Sequence, residues 1–276
     1  MTDTEKLSNN STRELVFLGT SGCIQVPAFF CECATCAAAR RNGTRRRTRA
    51  GVALLGDEIV LIDAGPDLEH QLERERIRRP ERIFITHWHF DHIAGLGAFG
   101  EPSSIYKWPA IEIYVPRQVA HHFDEELAYM RNCFNIHPIE PGVQVELPDG
   151  TWEVVKTTHT EHSVGFIVDS SRRFAYLIDG VVPPPETLQR LSGCDILIVE
   201  ATMDELDENH WVNFSVSGAI DFWRQTGIRE CFLTHLSCHS WRNKSLVAGI
   251  SDEERASYEN KESGLRFAYD GMRIVL

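Results

Sequence analysis

Residues His87-Trp88-His89-Phe90-Asp91-His92 place three imidazoles and a carboxylate within six positions, and the chemistry of such a set is metal coordination. Neutral imidazole and carboxylate suit zinc, manganese or iron rather than calcium or magnesium. The preceding residues, Arg82-Ile83-Phe84-Ile85-Thr86, read as a buried strand. After a strand, His-x-His spacing aims His87 and His89 the same way, while Asp91 and His92 start the next helix, which divides the ligands between two neighbouring metals. A His-rich surface loop is the plainer alternative, but it would not come with a second set of ligands elsewhere in the chain.

That second set is present. A first ion held by His87 and His89 needs a third imidazole, and the segment after Thr157 offers His159 and His162. His159, six residues before Gly165-Phe166, is preferred. Asp91, His92 and His235 would hold the second ion. Asp179 ends the apolar run Tyr176-Leu177-Ile178, where a lone carboxylate is costly without a cation, so it is the natural bridge between the two metals. Asp63, after Leu61-Ile62, is similarly placed and is expected to orient a ligand imidazole rather than to bind metal. In a separate loop, Cys31-x-Cys33-x2-Cys36 presents three thiolates able to wrap a tetrahedral ion, for which zinc is the usual occupant. The alternative is small core hydrophobes; Cys23, Cys133, Cys194 and Cys231, which lack partners at ligand spacing, are read as core or bystander thiols.

These residues need elements to carry them. Periodicity predicts strands at 14–19, 51–55, 58–63, 82–86, 111–115, 143–147, 152–157, 164–169, 173–178, 195–200, 230–234 and 265–269. Helices are predicted at 67–78, 117–130, 184–191 and 215–225. Two series of strands, each closing with helices, suggest two mixed sheets covered by helices on their outer faces. No linker separates two domains, so residues 14–276 are expected to form one unit after a disordered leader at 1–13. Asp63, His87, Asp179 and His235 all fall just past strand ends, where loops cluster along one sheet edge and sites are built.

With 276 residues, 42% of them hydrophobic, the chain can bury a sizeable core. A net charge of −12 opposes nucleic-acid binding through broad electrostatics, which needs a surplus of Lys and Arg on the contact face. One basic island stands out between Arg40 and Arg49; it is read either as a solvated face or as a phosphate holder. No apolar run is long enough for a membrane helix and the first residues carry no signal peptide, so a cytoplasmic protein with reduced thiols is expected.

The ordered set Asp63, His87-x-His89-x-Asp91-His92, His159, Asp179 and His235 resembles the metallo-β-lactamase fold, an αββα sandwich with two metals at one edge. The resemblance runs from about Leu15 to the end of the chain. Within the superfamily the sequence is most similar to the phosphoribosyl 1,2-cyclic phosphate phosphodiesterases of the PhnP type. This likeness rests on Gly19-Thr20-Ser21-Gly22, Val26-Pro27-Ala28, the cysteine loop, Asn209-His210, Thr234-His235-x-Ser237 and Asp270-Gly271-Met272. In that family a histidine three residues after the last catalytic histidine completes a structural zinc site. Here that position holds Cys238, with His239 next, so four cysteines (Cys31, Cys33, Cys36 and Cys238) are the first expectation and three cysteines with a histidine the second.

The resemblance implies two catalytic divalent metals, Mn2+ or Zn2+, one structural Zn2+, and hydrolysis of a small cyclic phosphodiester to a monoester. Asp91 would take part in catalysis, and His210 matches the histidine placed near the leaving group, as general acid; without the match it reads equally well as a surface histidine. The expected partner is a small phosphodiester, not a membrane and not a nucleic acid, and a homodimer is admitted. Two rivals remain. A tRNA 3'-processing nuclease would need a basic face and a flexible arm, whereas a non-catalytic accessory protein of the pyrroloquinoline type would bind a small molecule without turnover.

Overall fold

The computed structural model describes residues 13–202, 213–242 and 245–276, with backbone pairing alone over 240–248. The first half runs β1 (Glu14–Gly19), α1 (Ala34–Arg41), β2 (Gly51–Leu55), β3 (Ile59–Ile62), α2 (Leu68–Glu75), β4 (Arg82–Phe84), α3 (Phe90–Ile93), α4 (Gly100–Tyr106), β5 (Ile111–Pro116), α5 (His122–Glu125) and β6 (Phe134–Ile139). The second continues with β7 (Gln144–Leu147), β8 (Gly150–Lys156), β9 (Val164–Asp169), β10 (Phe174–Leu177), α6 (Pro185–Arg190), β11 (Ile196–Glu200), α7 (Val216–Thr226) and β12 (Glu230–Thr234). The hairpin β13 (His239–Arg242) and β14 (Ser245–Ala248), α8 (Asp252–Lys261), β15 (Leu265–Phe267) and β16 (Arg273–Val275) close the chain.

Two seven-stranded sheets result, in the orders β16-β1-β2-β3-β4-β5-β6 and β15-β12-β11-β10-β9-β8-β7. Each has an antiparallel half, β1-β2-β3 in one and β7-β8-β9-β10 in the other. Each turns parallel where a crossover intervenes, in β3-β4-β5-β6 and in β10-β11-β12-β15. Because each sheet is covered on both faces, its strands read as nearly continuous apolar runs whose alternate residues serve different layers. In β10, Phe174 and Tyr176 enter the core between the sheets while Ala175 and Leu177 face the outer helices; in β11, Ile196 and Ile198 divide from Leu197 and Val199 in the same way. Val16 and Leu18 of β1 likewise turn away from Leu15 and Phe17 to the helical layer on the first sheet. Two mixed sheets flanked by helices are therefore what the apolar pattern specifies.

The expected helix at 117–130 is broken. Arg117–Val119 and Ala128–Cys133 are 3-10 turns, and only His122–Glu125 is α-helical. Asp124, Glu125 and Glu126 crowd the carboxyl end of that turn, where the helix dipole disfavours negative charge, so propagation is not supported. Helix α8 is absent from the apolar reading because none of its residues is buried; its signal is instead the capping box made by Ser251 and Glu254. No described helix is long and apolar enough to cross a membrane.

The sheets are keyed together by three rings. Phe84 of the first sheet stacks on Tyr114 at 4.3 Å and on Trp152 of the second at 4.2 Å, with interplanar angles of 7° and 12°. Phe84 also lies three residues before His87. Phe84→Ala is therefore expected to cost about 3–5 kcal/mol in a chemical-denaturation measurement, as buried Phe truncations do, with Phe84→Leu costing less. A loss below about 1 kcal/mol would show that the stack does not key the sheets.

Candidate metal centre

The parallel half of each sheet delivers its carboxyl strand ends to one edge. Asp63 follows β3, His87 follows β4, Asp179 follows β10, Glu200 ends β11 and His235 follows β12. Asp63, Asp179 and His235 have φ of 64°, 52° and 59°, the left-handed region that L-residues seldom occupy and that clusters at functional sites. The chain is tightly held here. A Cβ at Gly65 would lie 2.2 Å from the Asp91 carbonyl oxygen, so only glycine lets the β3 loop pass beneath α3.

Three donor groups converge, in each of which every ligand atom lies within 4.8 Å of the others: His87, His89 and His159; His87, His92 and Asp179; Asp91, His92 and His235. His89 Nδ1 stands 2.9 Å from His87 Nε2 and 3.2 Å from His159 Nε2. His162 is in none of these groups. Asp179 reaches both sides, with Oδ2 2.9 Å from His92 Nε2 and 3.8 Å from His87 Nε2, and Oδ1 3.4 Å from His235 Nε2. Asp91 Oδ2 lies 3.3 Å from His92 Nε2 and 3.6 Å from His235 Nε2.

These atoms do not satisfy one another. His92 Nε2, Asp179 Oδ2 and His235 Nε2 are buried without a hydrogen-bond partner although they are close together. Such proximity without hydrogen-bond geometry means that their lone pairs point to common centres, the arrangement a cation completes. The charge balance agrees. Burial opposes ionisation of Asp179 and Asp91, yet neighbouring imidazoles, His235 foremost, hold both well below the usual carboxylate range. Burial likewise opposes a proton on His92, but the surrounding carboxylates, led by Asp63, push its pKa well above normal. Without metal, this pocket recruits protons as substitute cations.

The remaining ring nitrogens are fixed from behind. Asp63 Oδ2 accepts from His92 Nδ1 at 2.7 Å, and the same carboxylate accepts the Thr86 hydroxyl at 2.9 and 3.0 Å. With its proton committed to Asp63, the Thr86 hydroxyl can only accept from His87 Nδ1, 3.0 Å away. Both imidazoles are thus held with Nε2 facing the centre. The second sheet repeats the device. The Thr202 hydroxyl donates to Glu200 and accepts from His235 Nδ1 at 2.7 Å. Asn213 Nδ2 ties Glu200 to Asp179, at 2.9 and 3.1 Å. Burial, then the Asp179 charge, push the Glu200 pKa up to about 7. Thr86, Glu200, Thr202 and Asn213 were not singled out in the sequence. Glu200 carried a readable signal, since it closes the apolar run Ile196 to Val199 as Asp63 and Asp179 close theirs. Cys23, read as a bystander, lies near enough that burial and then Asp91 and Asp179 raise its thiol pKa. His210 lies outside the described residues.

The cysteine loop forms a separate cluster. Cys31, Cys33, Cys238 and His239 bring their ligand atoms within 4.8 Å of one another. Cys36 touches the thiols of Cys31 and Cys238, and its buried Sγ accepts the Ala28 amide at 3.2 Å. All four expected cysteines are together, with His239 added to them. The basic island is largely committed to structure: Arg47 donates to Thr20 and the Ala268 carbonyl, Arg49 pairs with Asp67 at 3.1 Å, and Arg40 reaches the Cys31 and Ala28 carbonyls. Arg41, Arg45 and Arg46 of the same island are exposed.

Comparison with known proteins accords with this geometry. An octanoyltransferase of Porphyromonas gingivalis is 25% identical over 257 residues, covering 90% of this chain and 51% of that protein. Ribonuclease Z of a Picosynechococcus species is 31% identical over 176 residues, covering 58% of this chain and 48% of the enzyme. The chain spans about half the length of these two relatives. Among solved structures, a diphosphatase of the PhnP family superposes with TM-score 0.80 at 24% identity over 96% of this chain and 98% of its own. Zn(2+)-bound PqqB from Methylobacterium extorquens follows at TM-score 0.78 and 20% identity, over 95% and 100%. These two likenesses bear on the fold. The sequence pattern of the beta-lactamase superfamily domain matches residues 58–236, well over half the chain and spanning every candidate site residue from Asp63 to His235. The chain belongs to the metallo-β-lactamase superfamily.

Proposed function

We propose that this superfamily hydrolase is a phosphodiesterase acting on a small, cyclic phosphodiester and releasing a monoester. The observation that carries the reading is the convergence of two sets of ligand atoms joined by Asp179, among which His92 Nε2, Asp179 Oδ2 and His235 Nε2 are buried without a hydrogen-bond partner. His87, His89 and His159 would hold one divalent ion, Asp91, His92 and His235 a second, with Asp179 between them. Zinc and manganese both suit such nitrogen and oxygen donors. When bound, two such ions acidify water to near neutrality and draw charge from phosphoryl oxygens. The chain's own part is positional: Asp63 and Thr86 fix His92 and His87, and Glu200 and Thr202 fix His235, so each turns its Nε2 to the centre. Asp91 and Asp179 supply the negative charge that binds the cations.

Phosphorus chemistry is favoured over other hydrolyses by the company the chain keeps, a diphosphatase in structure and ribonuclease Z in sequence. A small substrate is favoured over RNA because the net charge is −12. The likeness to PqqB supports the alternative of an accessory protein that does not turn its ligand over. Assay of the metal-reconstituted chain against cyclic diesters, bis(p-nitrophenyl) phosphate and RNA separates these readings; turnover of RNA alone, or of nothing, would refute the proposal. We further assign the cytoplasm as the site of action and one folded unit to residues 14–276.

Asp179→Asn and Asp91→Asn are each expected to lower diesterase activity at least about a hundredfold and to lose paired-site metal, with the circular dichroism of a folded chain retained. Wild-type turnover in either variant would exclude the site.

His210 is proposed as the general acid for the leaving oxygen. The segment that contains it is flanked by Thr202 and Asn213, both engaged at the metal centre. His210→Ala should slow an alkyl diester by about a hundredfold or more while affecting a nitrophenyl ester much less, because a good leaving group needs no proton. Equal losses on both would assign His210 to binding.

A structural zinc is proposed at the cysteine cluster, pinning the loop after β1 to the loop after His235. Cys238→Ala should then lower zinc content and the thermal midpoint together, and Cys238→His should restore most of both. Wild-type protein with no zinc beyond the paired site would rule it out.

A further inference from the structure

A second cavity of about 290 Å³ opens on the far side of the loop that carries His235. Its walls are Val26, the α1 residues Ala34, Thr35 and Ala38, Leu236 and Ser237, and the approach to α8 at Ile250. Four arginines enter it, Arg41, Arg45, Arg47 and Arg255, against two carboxylates, Asp252 and Glu253. The lining arginines outnumber the lining carboxylates, with Asp270 acting on Arg47 and Glu259 on Arg255 from outside the cavity. Asp252 is shared, pairing with Arg45 at 2.7 Å and also with Arg255. Arg47 donates only to neutral acceptors, the Thr20 hydroxyl and the Ala268 carbonyl. Arg41 has no hydrogen-bond or ion-pair partner among the described residues. Burial lowers the pKa of Arg47, and the Arg255 charge lowers it further; Arg255 is lowered in the same way by burial and by Arg45. These guanidiniums therefore repel one another inside a partly desolvated space.

We propose that this cavity is a binding site for a phosphate group carried on a small organic body, separate from the paired-metal centre. Guanidinium forks match phosphate oxygens two at a time, and several forks around one cavity suit an anion with three or more acceptors better than a carboxylate. Val26, Ala34, Ala38, Leu236 and Ile250 leave an apolar floor for the rest of the ligand, and the volume exceeds that of a lone phosphate. Leu236 and Ser237 join His235 to Cys238, while α1 follows the cysteine loop, so a ligand here braces both loops at once.

The test uses the full, zinc-replete chain and inorganic phosphate as probe. Asp179→Asn serves as the background, because it removes the paired-metal centre as a competing phosphate site. In that background, calorimetric titration should record one phosphate per chain, bound more tightly than acetate, with a rise in thermal midpoint. Adding Arg45→Gln or Arg255→Gln should weaken phosphate at least about tenfold. Arg41→Gln, which breaks no contact among the described residues, should weaken it too and keeps the test valid if an inner variant fails to fold. Phosphate binding that vanishes with Asp179→Asn, that matches acetate, or that survives the arginine substitutions unchanged would overturn the proposal.

Discussion

Three carboxylates buried at the ends of apolar strands set the terms for everything else in this molecule. Asp63, Asp179 and Glu200 are no more than 5% exposed, and an isolated carboxylate in such surroundings would protonate or unfold its environment. Each is instead answered by imidazole, hydroxyl or amide. Asp63 and Glu200 act through a threonine hydroxyl on the Nδ1 of a histidine, and the two relays occupy equivalent places in the two sheets. Asp179 receives Asn213 on one oxygen and leaves the other unpartnered. The unanswered remainder is negative charge and free lone pairs, so the strand ends are stable together mainly with cations among them.

That remainder exists only when both sheets are in register. The first sheet brings His87, His89, Asp91 and His92, and the second brings His159, Asp179 and His235. Neither half holds a complete ligand set: His87 and His89 lack a third imidazole without His159, and Asp91 and His92 lack His235. Packing energy from the core between the sheets, including the Tyr114-Phe84-Trp152 stack, therefore fixes the spacing of the donor atoms. Cations bound at the edge return stability to the interface, since ligands that bind only the folded state stabilise it.

Much of this was legible in the chain because it is local. His87 to His92 lie on one turn, and Asp63 and Asp179 declare themselves as charges closing apolar runs. The preference for His159 over His162 also agrees with the geometry, as His159 alone reaches His89. Glu200 obeyed the same rule as Asp63 and was passed over, having no ligand-type neighbour in sequence to draw attention to it. Thr86, Thr202 and Asn213 could not be read at all, because a hydroxyl or amide gains its role only from what stands opposite it after folding. The helix at 117–130 failed for a different reason: apolar spacing at Val119, Phe123 and Met130 survives, but acidic residues at the wrong end of the turn divide the backbone into short pieces.

The cysteine cluster shows how a local motif can leave its own completion undecided. Five donors, Cys31, Cys33, Cys36, Cys238 and His239, meet where a tetrahedral ion takes four. Cys36 is fully buried and accepts the Ala28 backbone amide. His239 is the more accessible, begins the β13 hairpin, and lies 3.2 Å from Cys238 Sγ and 3.8 Å from Cys31 Sγ. Cys31, Cys33 and Cys238 are common to both candidate sets, with Cys36 and His239 as the alternative fourth donors. Either set ties the loop after β1 to the residue three positions beyond His235. His235, at the other end of that short connection, has a left-handed backbone conformation.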